Sequence, residues 1–295
     1  MTEVHGEGAA WEPAVRTKPG WAGRAKTLVR EWIPPAAVRL LRRFAGRHWG
    51  GLRFEGDFVT WEDAKAASTG YADASILAKV TEATLKVRRG EATYERDSVL
   101  FDQIQYSWPL LAALMWAAAR SRSRLTVLDF GGALGGGYHQ NRRFLDGLGE
   151  VRWGVVEQPH YAATGRALFE NEQLRFFDTI DECDAKLRPN VIVLGSVLQY
   201  LPDPDLVLQA LERTSANVMI VDRTPFASIE QDRISVQRVP TSIYEASYPC
   251  RILSRKRIRA LLSGWNTLET FKCAEGTMST DVGLRFTFEG FILQR

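Results

Sequence analysis

Hydrophobic and polar positions along the chain change rhythm near residue 125. From there short apolar runs recur between amphipathic stretches: 125–129, 152–157, 174–177, 191–195 and 217–222 read as strands, and 138–147, 160–171 and 204–213 as helices. Val191-Ile192-Val193-Leu194 shows no polar alternation, which suits a central parallel strand covered on both faces. Strands and helices in alternation predict an α/β domain with a mostly parallel sheet. Ahead of it, Ala74 to Val87 and Pro109 to Ala119 have helical spacing, and Thr60, followed by Glu62 and Asp63, is placed to cap a turn. After Asp222 the pattern is lost. Arg223 to Pro249 reads as a long irregular stretch, followed by a basic helix from about Ser254 to Leu262 and two closing strands, 268–271 and 285–293. The expected divisions are a flexible or partly helical segment over 1–55, with a short helix at 36–44, then a helical cap over 56–122 and the main α/β domain over 123–295, carrying a substrate loop at about 223–252.

Composition narrows the class. The 295 residues are 45% hydrophobic and 25% charged, ordinary for a globular chain large enough to bury a sizeable core. A formal charge of +3 is too small to point to nucleic acid, and none is expected as a partner. Basic residues do gather among tryptophans between Arg16 and Arg47. Such a segment either touches an acidic surface or is an exposed linker. No run approaches the roughly 20 apolar residues that span a bilayer, and the amino terminus has no secretory pattern. The expectation is a cytoplasmic chain without stable membrane insertion. Cys183, Cys250 and Cys273 are far apart and, with four histidines, form no metal-like pair, so no metal is expected. Nothing in the chain sets an oligomeric state.

Candidate chemistry sits after the first strand of the main domain. Leu125-Thr126-Val127-Leu128-Asp129-Phe130 runs into Gly131-Gly132-Ala133-Leu134-Gly135-Gly136-Gly137, an apolar strand, an acidic residue and a flexible turn opening a helix. A second strand, Trp153-Gly154-Val155-Val156, ends in Glu157, placed to accept two ribose hydroxyls. Read from Gly131, the turn is G-x-x-x-G and not the dinucleotide G-x-G-x-x-G, which favours S-adenosylmethionine (SAM) over a nicotinamide dinucleotide. Asp129 can receive a ligand ammonium or a loop hydrogen bond. The plainer alternative is a tight strand-to-helix connection with solvated carboxylates.

From about Tyr94 to Leu293 the chain resembles class I SAM-dependent methyltransferases associated with bacterial surface-polysaccharide genes. The resemblance runs through Asp97-Ser98-Val99-Leu100-Phe101, Leu128-Asp129-Phe130-Gly131-Gly132, Gln140-Asn141-Arg142, Val155-Val156-Glu157-Gln158, Ser196-Val197-Leu198-Gln199-Tyr200-Leu201 and Asp222-Arg223-Thr224-Pro225-Phe226. It implies a Rossmann-like fold: a seven-stranded, mostly parallel sheet with its last strand antiparallel, beneath an amino-terminal helical cap. It also implies SAM as cofactor. On that resemblance Asp129, Gly131, Gly132 and Gly135 lie along the methionine and ribose portions, and Glu157 binds the ribose. Asp178 contacts adenine or caps the next turn. Ser196 faces cofactor and acceptor, with Gln199 and Tyr200 on the same connection, or these residues cap and pack. The sequence departs at Ala133 and Gly136, where related chains carry a serine after the glycines.

Alkyl transfer from a sulfonium needs alignment first and a base only where the acceptor must lose a proton. His139 is the candidate base, or a surface turn residue. Asn141 is placed to hold a carboxylate or amine, and Tyr106 to wall the sulfonium with its ring or simply to pack. Arg233, Gln237, Arg238, Tyr244 and Tyr248 are candidates to close over an acceptor, the arginines favouring an anion unless both face water. Three functions follow. Methylation of a hydroxyl or amine of a sugar or small metabolite leads. Intramolecular alkylation of SAM to azetidine-2-carboxylate and methylthioadenosine, oriented by Asn141, Tyr106 and Ser196, is second. Non-catalytic nucleoside binding is third.

Overall fold

The computed structural model describes residues 51–69, 74–96, 99–240 and 246–295. The helix expected at 36–44, the basic amino-terminal segment and Tyr244 lie outside the described residues. In chain order the elements are β1 (Arg53–Phe58), α1 (Trp61–Ala66), α2 (Ala74–Arg88), β2 (Tyr94–Arg96), β3 (Val99–Phe101), α3 (Trp108–Arg120), β4 (Arg124–Phe130), α4 (Gly136–Leu145), β5 (Glu150–Val156), α5 (Pro159–Leu168), β6 (Leu174–Phe177), α6 (Ile180–Leu187), β7 (Val191–Gly195), a 3₁₀ turn (Leu198–Tyr200), α7 (Pro204–Glu212), β8 (Val218–Ala227), β9 (Arg233–Val239), β10 (Ala246–Ser254), α8 (Arg255–Leu261), β11 (Asn266–Ser279) and β12 (Arg285–Gln294).

The main sheet runs β6-β5-β4-β7-β8-β12-β11. Strands β6, β5, β4, β7 and β8 are parallel, while β12 lies antiparallel to both β8 and β11. This is the seven-stranded arrangement that the apolar runs and the resemblance led us to expect. The uninterrupted runs arise because alternate residues of one strand feed two separate layers. Val191 and Val193 join Val127, Trp153, Tyr138 and Leu114 on the side of α3 and α4. Ile192 and Leu194 join Leu128, Cys183, Leu208 and Ile258 on the side of α6, α7 and α8. Polar caps set the helix starts: Thr60, Thr179, Asp203 and Ser254 each accept a backbone N–H from the first turn that follows.

The stretch expected to be irregular after Asp222 is instead largely extended. β8 continues to Ala227, and β9 and β10 form an antiparallel pair whose outer edge is completed by β1. The end of β10 takes the flank of β8 that β7 leaves free, pairing Leu253 with Phe226 and Ser254 with Ala227. Polar side chains disguise these strands in the sequence because they are buried with partners. Ser235 donates to the Glu55 carbonyl, Tyr200 donates to Gln237 Oε1, and Ser247 Oγ accepts from Thr69 N. The region expected as a purely helical cap likewise contains β1 and the β2–β3 hairpin between its helices. No helix among the described residues is long and apolar enough to cross a membrane.

Candidate functional site

Parallel strands end together, and the loops that follow them make a cleft at their carboxyl ends. Six non-glycine residues among those described adopt positive φ, and three stand at that edge: Ala133 after β4, Ser196 after β7 and Arg223 within β8. Left-handed backbone is unfavourable for side chains bearing a Cβ, so its recurrence here marks an edge whose loops are held in place by their surroundings.

The first loop is the glycine turn. Gly131, at φ 73, donates its N–H to Val156 O at 2.9 Å, and a Cβ added there would stand 3.0 Å from Val197 Cβ and closer still to Cγ2. Gly135, at φ 86, caps α4 and donates to Gly132 O. Between them, Ala133 N donates to Glu157 Oε1 at 3.2 Å, while Glu157 Oε2 accepts Gln158 N at 2.7 Å. Glu157 therefore organises the turn from the end of β5. Burial pushes its carboxyl up and these two N–H groups oppose the shift. Each oxygen retains further acceptor capacity. The opening amides of α4 have no intrahelical acceptor and make the turn locally positive.

Asp129 stands behind the turn. It is buried and accepts Trp153 Nε1–H at 3.0 Å, so the hydrogen bond it makes comes from the neighbouring strand, where a ligand ammonium or a loop donor was expected. Burial pushes its carboxyl up to about 7. Cβ atoms at Gly132 and Gly137 would lie 2.5 and 3.2 Å from its Oδ2, so the glycines let the turn close over this carboxyl.

A second polar group occupies the ends of β7 and β8. Ser196 N donates to Asp222 O, and Ser196 Oγ accepts Gln199 Nε2 at 2.9 Å. The same amide nitrogen reaches Arg223 O at 3.3 Å. Asp222 is buried, with Arg223 Nε 3.5 Å from Oδ2 and the Cys273 thiol donating to Oδ1 at 3.6 Å. Burial and the adjacent Asp222 charge push the Cys273 thiol up to about 12, so it remains a protonated donor. Cys273 reaches this position through a bulge. Lys272 pairs with Glu289 and Thr277 with Thr287, so residues 273–276 of β11 stand opposite Phe288 alone.

The β2–β3 hairpin lies against the start of α4 and reaches β11. Tyr94 OH accepts Gln140 Nε2 from α4 at 3.2 Å, Glu95 Oε1 lies 3.6 Å from a Cβ position built on Gly136, and Arg96 pairs with Glu275 of β11 at 3.8 Å.

Of the residues anticipated from sequence, Asp129, Gly131, Gly132, Gly135, Glu157, Ser196 and Gln199 gather at this edge. Tyr106, His139 and Asn141 do not join them. Tyr106 packs its ring on Trp108 at 4.9 Å and on Phe144 at 5.3 Å. Phe144 is near the far end of α4, about 12 Å along the helix from its start, so Tyr106 packs away from the glycine turn. His139 packs against Tyr138 and Phe169, and burial pushes it down to about 4, which leaves a neutral, weakly basic imidazole. Asn141 is buried in the sheet-facing side of α4 and donates to Gly137 O at 2.8 Å. Asp178 follows β6 at the same edge, where Phe177 O accepts Glu157 N at 3.1 Å, and is exposed and paired with Arg166 at 3.2 Å. The two arginines expected to favour an anion are instead engaged by carboxylates of β1, Arg233 with Asp57 and Arg238 with Glu55. The sequence assigned no role to Asp222, Arg223, Cys273 or Glu275; the signals were that Asp222-Arg223 closes an apolar strand and belongs to the segments that carry the resemblance.

No family model matches the chain, and no curated protein matches it. Among solved structures, the N-terminal domain of EvdMO1, determined in the presence of SAH and D-fucose, is 14% identical, covers 72% of this chain and 96% of its own, and has a TM-score of 0.41. The 1,6-didemethyltoxoflavin-N1-methyltransferase of Burkholderia thailandensis is 15% identical over 77% of this chain and 99% of its own, with a TM-score of 0.35. CalS10, an amino pentose methyltransferase from Micromonospora echinaspora, is 12% identical over 64% of this chain and 92% of its own, with a TM-score of 0.41. The strand order and the antiparallel β12 define the class independently: a Rossmann-like class I methyltransferase fold.

Proposed function

We propose that this protein is a SAM-dependent methyltransferase acting on a hydroxyl or amine of a sugar or other small metabolite. The observation that carries the reading is the pairing of the Gly131–Gly135 turn with Glu157, joined through the Ala133 N–H, at the reversal point of the sheet between β4 and β7. The residues fit the cofactor. Glu157 is a carboxylate with spare acceptor capacity at the position of a ribose diol, and the opening amides of α4 suit a carboxylate. Gly131 and Gly135 let the turn close against Val197 and Leu174, where added Cβ atoms would clash with Val197 Cγ2 and stand 2.9 Å from Leu174 Cδ2. When bound, SAM supplies a sulfonium-activated methyl group.

The chain's own part is to orient and to exclude water. The β2–β3 hairpin lies against the start of α4 through Tyr94 and reaches β11 through Arg96, and Gln199 and Ser196 hold each other at the end of β7, toward the acceptor side. Alignment of acceptor and methyl group supplies much of the rate. The surface-polysaccharide setting of the resemblance favours a sugar-like acceptor, and three free thiols fit a cytoplasmic location.

Mass spectrometry of purified protein with SAM tests the reading. S-Adenosylhomocysteine formed on addition of an acceptor supports it. Methylthioadenosine with azetidine-2-carboxylate from SAM alone would replace methyl transfer with cyclisation, and binding without turnover of any kind would leave a nucleoside-binding protein.

A further inference from the structure

Three acceptor oxygens are buried without a hydrogen-bond partner among the described residues: Gln199 Oε1 in the 3₁₀ turn after β7, Asp222 Oδ2 within β8 and Glu275 Oε2 in the β11 bulge. Gln199 is 0% exposed and Asp222 1%. Gln199 and Asp222 flank Arg223, and Glu275 lies on the bulge that brings Cys273 to it. Gln199 Nε2 bonds the Arg223 carbonyl, Asp222 precedes it with Nε 3.5 Å from Oδ2, and Cys273 Sγ, two residues from Glu275 on the bulge, accepts Arg223 N. Buried acceptors are rarely left unmet, and three together call for a ligand rich in N–H donors.

We propose that this cluster binds the acceptor through an amine, making the chain an N-methyltransferase; the proposal rests on the methyl-transfer reading above. A primary amine presents two N–H donors when neutral and three when protonated, against one from a hydroxyl. The chemistry agrees with the count. The neutral amine's lone pair forms the bond to the methyl carbon while the carbon–sulfur pair returns to sulfur. Positive charge thus passes from sulfur to nitrogen, beside the Asp222 and Glu275 carboxylates, and the methylated ammonium later gives its extra proton to water. Fixed acceptors stabilise the charge where it develops. A hydroxyl would instead need a base at transfer, a role the Asp222 and Glu275 carboxylates could themselves fill, so it is the count of N–H donors and not the want of a base that favours the amine. His139 packs against Phe169 and is a weak base, and Cys273 stays protonated.

The test compares two unreactive nucleosides by calorimetry. S-Adenosylhomocysteine has a neutral sulfur. Sinefungin carries an amino group in place of the methyl-bearing sulfonium and sends an ammonium toward the acceptor side. The wild-type protein is expected to prefer sinefungin by about tenfold or more, the scale of a charge-assisted hydrogen bond. Asp222→Asn is expected to cut that preference to within about threefold while S-adenosylhomocysteine affinity holds. Glu275→Gln, at a less buried position, provides the same readout if Asp222→Asn does not fold. Equal affinities in the wild type, or a preference unmoved by these variants, overturns the amine assignment, as does an isotopically labelled methyl group recovered on oxygen. Failure of both nucleosides to bind overturns the cofactor reading beneath it.

Discussion

Gly131→Ala probes the site through its backbone. Gly131 lies at φ 73, where an alanine costs about 1–2 kcal/mol. The new Cβ would also stand 3.0 Å from Val197 Cβ and nearer to Cγ2, inside van der Waals contact with a buried side chain that ends the β7 loop. Overpacking of this kind costs about 1–3 kcal/mol, so the sum is about 2–5 kcal/mol, a large share of an ordinary domain's stability. Urea unfolding measures the loss. SAM titration measures its functional side, expected to weaken at least about tenfold because the Gly131 N–H to Val156 O bond sets the turn's exit from β4. Val197→Ala in the same chain removes the Cγ2 clash, the larger share of the steric part, and leaves the tight Cβ contact and the φ part. The two changes should therefore couple favourably by about 1–2 kcal/mol. A Gly131→Ala loss under about 0.5 kcal/mol, or strict additivity with Val197→Ala, would refute this account of the turn.

Other expectations follow from the same geometry. Because burial raises the folded pKa of Asp129 to about 7, the unfolded chain binds fewer protons than the folded one between pH 4 and 7. The stability contributed by this group is complete below pH 4 and lost as pH rises to about 7, at no more than about 1.4 kcal/mol per pH unit. Urea unfolding of wild type against Asp129→Asn should show that slope, and parallel curves would contradict it. Tyr106→Ala should leave SAM affinity within about twofold, since its ring packs on Trp108 and Phe144; a loss of tenfold by calorimetry would return Tyr106 to the site. Thr60→Ala should lose about 1 kcal/mol in urea unfolding through the cap it provides to Asp63 N, with turnover unchanged.

How much of this was legible in the chain depends on what a residue faces. Val191 to Leu194 could be read as a central strand because both of its faces are apolar. β9 could not, since Ser235 and Gln237 are buried polar residues whose partners, Glu55 and Tyr200, lie far away in sequence. The glycine turn and Glu157 were readable because each sits at the end of an apolar run. Glu275 and Cys273 were hidden, because only the β8–β12–β11 pairing and the bulge at 273–276 carry them to Asp222. Tyr106 misled for a related reason: an aromatic residue shortly before the motif looks like a wall until the end of α4 that it packs against is known.

The most direct measurement is a crystal structure of the protein with S-adenosylhomocysteine. The account predicts the ribose hydroxyls on Glu157, the amino-acid carboxylate over the start of α4 and the sulfur facing Ser196 and Gln199. A nucleoside seated elsewhere, for example in the groove of about 360 Å³ lined by Asp57, Arg233, Thr280 and Leu284, would contradict it.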